Sequence, residues 1–212
     1  MGDTTQSGNA KEVIFKSVFG QDWDVLPPVM KKHYFHRAFS RDRLSVAGKM
    51  DIQTSIAAKI FSPFMRLFGA LAPFDAEDIP VTVHMTAAPD SRDYHFHRIF
   101  ERPGKKPYHF RSRMVQIKGN DIVEFMRFGL GWRMNYLWRD GKVVLQSRGF
   151  VWRIFGKLVP LPLGLLLGTG YAEEEATGEN SFRMYMDLTH PLWGKVYIYK
   201  GEFEIIRQEE KS

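Results

Sequence analysis

The chain has 212 residues, of which 44% are hydrophobic, 14% aromatic and 25% charged, and its formal net charge is +6. This composition excludes a disordered chain and a helical membrane protein, and the length suits one domain with appended elements. There is no cysteine, which rules out disulfides, thiolate metal sites and a cysteine nucleophile.

Residues 1–10 (MGDTTQSGNA) are small and polar, with neither the basic start nor the apolar run of a signal peptide. They are expected as a disordered tail on a cytoplasmic protein. Residues 11–75 read as the helical N-terminal part of a single domain. Val13, Ile14, Phe15, Val18 and Phe19 cluster before Gly20, and the pair Pro27-Pro28 opens a second helix, since proline is tolerated in a first turn. A short extended piece lies around Leu44 to Ile52. From Ser55 to Leu71, Ile56, Ile60, Phe64, Leu67, Phe68 and Leu71 share one side at helical spacing, which predicts that this side is buried. Pro63 should kink or restart that helix, with Ser62 as the candidate cap.

Residues 76–207 switch to a period of two and read as an antiparallel β part. Asp140-Gly141 predicts a two-residue turn that pairs Arg139 with Lys142, Trp138 with Val143, Tyr136 with Leu145 and Met134 with Ser147. A turn near Gly104 puts Phe96, Phe100, Tyr108, Phe110 and Met114 on one face, and His95, His97, His109, Arg111 and Arg113 on the other. Further strands are expected at 81–87, 122–128, 171–176, 182–188 and 195–206. The fold class is therefore α+β, mainly β: a curved antiparallel sheet of about eight strands, half-barrel or barrel-like, packed on N-terminal helices.

The segment from Phe150 to Gly170 is the most apolar in the chain. Arg153, Lys157 and two prolines prevent it from spanning a bilayer as one helix. It reads either as a buried crossover or as an apolar loop that closes a pocket or dips into a membrane face. Residues 91–157 hold fifteen basic and five acidic side chains, against ten and ten before them and five and nine after. Such a block either attracts an anionic partner or is the solvated face of a sheet.

No phosphate loop, dinucleotide-binding glycine fingerprint, HExxH or GxSxG is present. His95, His97 and His109 could meet on one strand face, but Arg111 and Arg113 beside them would repel a cation, so no metal is expected. Glu173, Glu174, Glu175 and Asp187 are the acid–base candidates. Glu173 and Glu175 share a face, which is a solvated acidic edge if it points outward. Ten methionines favour an adaptable interior.

Phe19-Gly20-x-x-Trp23-x-x-Leu26-Pro27 with His33 downstream, Phe110-Arg111-Ser112-Arg113, Leu161-Pro162, Pro191-Leu192-Trp193-Gly194 and Tyr199-x-Gly201 together resemble a bacterial family, domain of unknown function 4166. The resemblance runs from about Ile14 to Ile205. Members occur alone or fused behind saccharopine-dehydrogenase-like reductase domains, which implies work on a related apolar substrate, alone or with a separate reductase partner. It implies no particular catalytic residue.

The sequence thus points first to a binding module for a hydrophobic or amphipathic, lipid-like small molecule, with no cofactor. Trp132, Tyr136, Trp138, Phe96 and Phe110 would line its pocket, with Arg111, Glu173, Glu175 and Tyr199 as polar contacts. The basic block would support peripheral contact with an anionic membrane. The alternatives are an enzyme on such a ligand, with Glu173 or Glu175 as acid–base and Tyr199 or Arg111 polarising, or binding to nucleic acid or another anionic surface. No nucleic-acid reading element accompanies the charge, so that partner is not expected.

Overall fold

A computed structural model describes residues 12–211; the tail expected at residues 1–10 lies outside them. The chain opens with α1 (Ile14–Phe19), a 3-10 turn (Gly20–Val25) and α2 (Pro28–His33). Pro27 stands at the N-cap of α2 and Pro28 at its first position, as the missing N–H groups require. The strands are β1 (Arg43–Thr54), β2 (Ala76–Ala87), β3 (Tyr94–Phe100), β4 (Tyr108–Lys118), β5 (Asp121–Phe125), β6 (Leu130–Arg139), β7 (Lys142–Ile154), β8 (Lys157–Leu161), β9 (Thr169–Ala176), β10 (Ser181–His190) and β11 (Gly194–Glu209). Three short helices interrupt them: α3 (Ile56–Ile60), α4 (Ser62–Phe68) and α5 (Gly164–Leu167).

All the strand pairings are antiparallel, in the order β6-β5-β4-β3-β2-β1-β11-β10-β9-β7, and β6 pairs with β7 to close the ring. The result is a closed barrel of ten strands, with β8 folded back on the far half of β7. Of the expected forms, half-barrel or barrel-like, the sheet takes the closed one, with ten strands rather than about eight. The extended piece near Leu44 is a twelve-residue strand in the wall, inside the stretch read as helical. Two pairings in the ring, β1 with β11 and β7 with β9, are not hairpins; they join residues far apart in sequence and leave no local turn signal. Gly48 permits the first of them: a Cβ there would meet the Glu202 carbonyl at 1.9 Å.

Alternation sends most apolar residues inward and most charges outward, while Val123, Phe125 and Val151 form a small apolar cluster apart from the main core. The register at Asp140-Gly141 is the one predicted from the turn, and the two faces of the β3–β4 hairpin divide as expected. Outside, Lys142 bridges Glu173 and Glu175, and Lys49 meets Asp78. A barrel with ion pairs outside and Phe, Met and Leu inside has the reverse polarity of a membrane-spanning barrel. Among the described residues no helix is long and apolar enough to cross a membrane.

The N-terminal elements plug one end. The Phe15 ring lies 4.5 Å from that of Tyr34 and 5.3 Å from those of Tyr94 and Tyr136. Asp42, fully buried, accepts hydrogen bonds from Arg37 and from the backbone of Lys211, tying the plug to the last strand. At the other end α3 and α4 fill the long β1–β2 connection. Their expected apolar face is wrong: Ile56, Ile60 and Leu67 are exposed, while Ala58 and Met65 are buried. Nor does Ser62 cap α4; Ser55 caps α3 by accepting from the Ala58 N–H. The Phe150–Gly170 stretch is neither a buried crossover nor a plain loop. It forms the outer part of β7, β8 and α5, with Leu167 buried and Leu165 and Leu166 exposed.

Candidate functional site

Two cavities of about 50 and 40 Å³ lie inside the barrel and share Leu71, Phe110, Glu124, Trp132 and Tyr199 in their walls. The first also touches Met50, Met85, Met114 and Met184, the second Met65, Met126 and Met186, so seven of the ten methionines line the voids. Spaces of this size hold a few water molecules rather than a lipid tail. Thioether side chains repack readily around variable shapes.

The polar groups at the first cavity come from both the barrel and the plug. Glu174 of β9 points inward and is buried, and the hydroxyl of Tyr34, just after α2, donates to its Oε2. Nε2 of His33, in the last turn of α2, stands 3.6 Å from the same oxygen. Burial pushes the Glu174 carboxyl up to about 7, against the Tyr34 hydrogen bond and the charge of Arg98. Burial, then Arg98, pushes His33 down to about 3. At neutral pH the pair is therefore a neutral imidazole beside a carboxyl near its midpoint, able to donate or accept a proton. His33 Nδ1 is buried without a hydrogen-bond partner.

Arg98 of β3 also points inward, with its guanidinium 4.4 Å from the Phe96 ring centroid and 4.7 Å from that of Phe110. It donates to Glu124 Oε1 at 2.9 Å and to Ser112 Oγ at 2.9 Å, and Ser112 donates to the same Glu124 oxygen at 2.5 Å. Two rings, a hydroxyl and an opposing charge satisfy this buried cation. Tyr199, with its hydroxyl pushed up by burial, completes the wall.

Among the residues singled out in the sequence, Phe96, Phe110, Trp132, Tyr136 and Tyr199 all line the first cavity. Trp132 lies over Gly170, where a Cβ would approach its ring to 2.7 Å, and its Nε1 donates to Ser147. Trp138 sits half-buried one pair from the β6–β7 turn and does not line either cavity. Arg111 is exposed on the outer face, opposite His97, so the inward arginine is Arg98. Glu173 and Glu175 also face out: Glu173 takes Lys142 and the Tyr171 hydroxyl, and Glu175 stands near Lys142 and Arg183. The odd-numbered pair is thus the solvated edge, and the even member is in the site. Asp187 is held on the outside by Tyr185, Thr189 and Lys195, which keep its carboxyl below the usual range despite burial. His97 bonds His109 at 2.9 Å on the outer face.

The sequence reading missed His33, Tyr34, Arg98 and Glu124 as parts of one constellation. For Arg98 and Glu124 a signal existed, because each falls on the apolar parity of its strand. For His33 and Tyr34 none did, because the plug meets the barrel only in the folded chain. The central basic block is dispersed too. Arg98 is inside, and Arg113, Arg133 and Lys142 pair with Asp93, Asp121 and Glu173.

No curated protein matches the chain. Among solved structures, a dehydratase from a type I polyketide synthase is similar at 8% identity over 84% of each chain, with a TM-score of 0.22. The dehydratase domain of the polyketide PpsC from Mycobacterium tuberculosis is similar at 7% identity over 84% of this chain and 80% of that one, with a TM-score of 0.19. Scores this low carry no argument about fold or chemistry. Residues 26–203 match the model of the family described as domain of unknown function DUF4166, and the chain belongs to that family.

Proposed function

We propose that the barrel interior binds a small amphipathic molecule. Its apolar part would lie among the methionines and aromatic rings, and its polar group would meet Glu174 and His33. The observation that carries this reading is the unpartnered, buried Nδ1 of His33 beside a buried carboxyl, in a cavity whose wall also holds four methionines and several aromatic rings. An unsatisfied buried nitrogen is costly, and a bound polar group would relieve that cost. Arg98 is neutralised by Glu124 and Glu174 is near its midpoint, so the site favours a neutral hydroxyl or carbonyl over a carboxylate. Displacement of a fluorescent apolar probe by a medium-chain alcohol, ketone and fatty acid of equal length tests this. Stronger displacement by the neutral compounds is expected, and no displacement by any of them would overturn it.

A second reading rests on the Glu174 carboxyl near pKa 7, which suits an acid–base group at neutral pH. With a ketone bound, the Glu174 carboxylate would take a proton from the carbon next to the carbonyl and return one to the same carbon. In heavy water the wild-type protein should exchange that hydrogen for deuterium, and Glu174→Gln should not. Equal exchange by both would remove Glu174 from any catalytic role.

A further inference from the structure

The end of the barrel opposite the plug carries a second feature, which does not depend on the interior binding anything. Five separate connections lie at that end, and four of them expose large apolar side chains, the β3–β4 connection being the exception. Phe155 is 100% exposed, Ile56 and Leu192 81%, Leu165 73%, Ile60 71% and Phe128 65%. Contacts join several of them into two groups at this end, one around Phe128 and one around His190. Phe128 packs on Phe68 of α4 at 5.9 Å, the Trp152 indole donates to the Phe128 carbonyl, and His190 reaches the Leu165 carbonyl while stacking on Trp193.

Two of these tips are held at a backbone cost. Phe128 (φ +58°) and Phe155 (φ +48°) both sit in the left-handed region, which bulky residues avoid. Packing does not explain Phe155, since its side chain is wholly exposed. The two-residue β7–β8 turn, Phe155-Gly156, imposes the positive φ, as Asp140-Gly141 does between β6 and β7; the turn favours Asn, Asp or Gly there, so an exposed phenyl ring at its tip points to a surface it meets.

Charge says what kind of surface. The connections at this end, residues 54–76, 100–108, 125–130, 152–170 and 188–196, hold nine Lys and Arg and only two acids, Asp75 and Glu101. The plug end, residues 12–43, 87–94, 118–121, 139–142, 176–181 and 207–211, holds twelve and eleven. Lys59 pairs with Asp75 and Lys195 with Asp187, and the other seven cations leave this end with the larger positive excess. In the sequence Arg127 precedes Phe128, and Arg153 stands two residues before Phe155.

We propose that this end docks on an anionic membrane surface, with Phe155 and the neighbouring tips inserted among the acyl chains and the surrounding Lys and Arg on lipid phosphates. Separate convex fingers, rather than a groove, suit a fluid apolar phase better than a folded partner. Long cationic side chains can lie along the headgroup layer behind them.

Vesicle co-sedimentation of the full chain tests this, using phosphatidylcholine alone and phosphatidylcholine mixed with phosphatidylglycerol, at low and high salt. Binding to the anionic vesicles that weakens with salt is expected, with little binding to the neutral ones. Phe155→Asn separates docking from folding. Asparagine tolerates positive φ, so thermal stability should hold or rise, while partitioning weakens roughly tenfold or more as one ring is withdrawn from the apolar phase. Arg153→Gln with Lys157→Gln should flatten the salt dependence. Three results would each overturn the proposal: no binding to anionic vesicles at low salt, equal binding by Phe155→Asn, or a concentration-dependent dimer that Phe155→Asn abolishes without any vesicle binding.

Discussion

Glu173 and Glu174, adjacent in β9, face opposite sides of the barrel wall. Glu173 meets Lys142 outside, while Glu174 takes the Tyr34 hydroxyl inside. Burial holds the Glu174 proton up to about pH 7, against 4.5 for an ordinary glutamate. Between these values the folded state binds more protons than the unfolded one, so this group lowers stability as pH rises through the window and then levels off. Glu174→Gln should therefore be more stable than wild type above pH 7, by up to about 3 kcal/mol, with the gap closing toward pH 4.5. Urea midpoints across pH check it; parallel curves for the two proteins would contradict it.

The buried histidines act in the opposite sense. His33 and His36 are pushed down by burial to about 3 and about 4. Their contribution to stability is complete above the ordinary 6.5 and is lost as pH falls toward those values. With two histidines against one glutamate, these groups together place the stability maximum near pH 7. Replacing His36 by a residue that does not titrate should reduce the loss on the acid side, and an unchanged acid limb would contradict the buried placement.

These two groups show what the sequence could and could not reveal. The Asp140-Gly141 turn fixed a whole register, because a two-residue turn leaves no freedom in pairing. Three consecutive glutamates carry no apolar marker of parity, so only the folded strand tells which one points inward. The face of α3 and α4 was misread because the segment is apolar all round and ends in a surface that remains exposed. The barrel also requires β1 to meet β11, a contact between distant residues with no local signature.

Arg98 and Glu124 provide a test of the interior charge balance. Arg98→Met leaves Glu124 buried without its cation and should cost about 3–5 kcal/mol. Adding Glu124→Met should recover most of that loss, because the pair is then replaced by apolar volume. Chemical denaturation of both single variants and the double variant measures the coupling; an additive loss would contradict the paired arrangement.

Tyr136 belongs to the packed plug as much as to the cavity wall, with its ring 5.3 Å from Phe15, 6.0 Å from Tyr34 and 6.3 Å from Phe19. Tyr136→Ala should cost about 3–5 kcal/mol, by analogy with other buried aromatic truncations. A loss below about 1 kcal/mol would mean that the ring faces open space.

The most direct test of an interior binding site uses the methionines that line it. In protein labelled with carbon-13 at the methionine methyls, titration with a medium-chain ketone should shift the signals of Met50, Met85, Met114 and Met184. Met30, buried in the plug away from both cavities, should stay in place. If those four signals remain fixed at saturating ketone, the interior is a filled core and the binding function proposed for it is wrong.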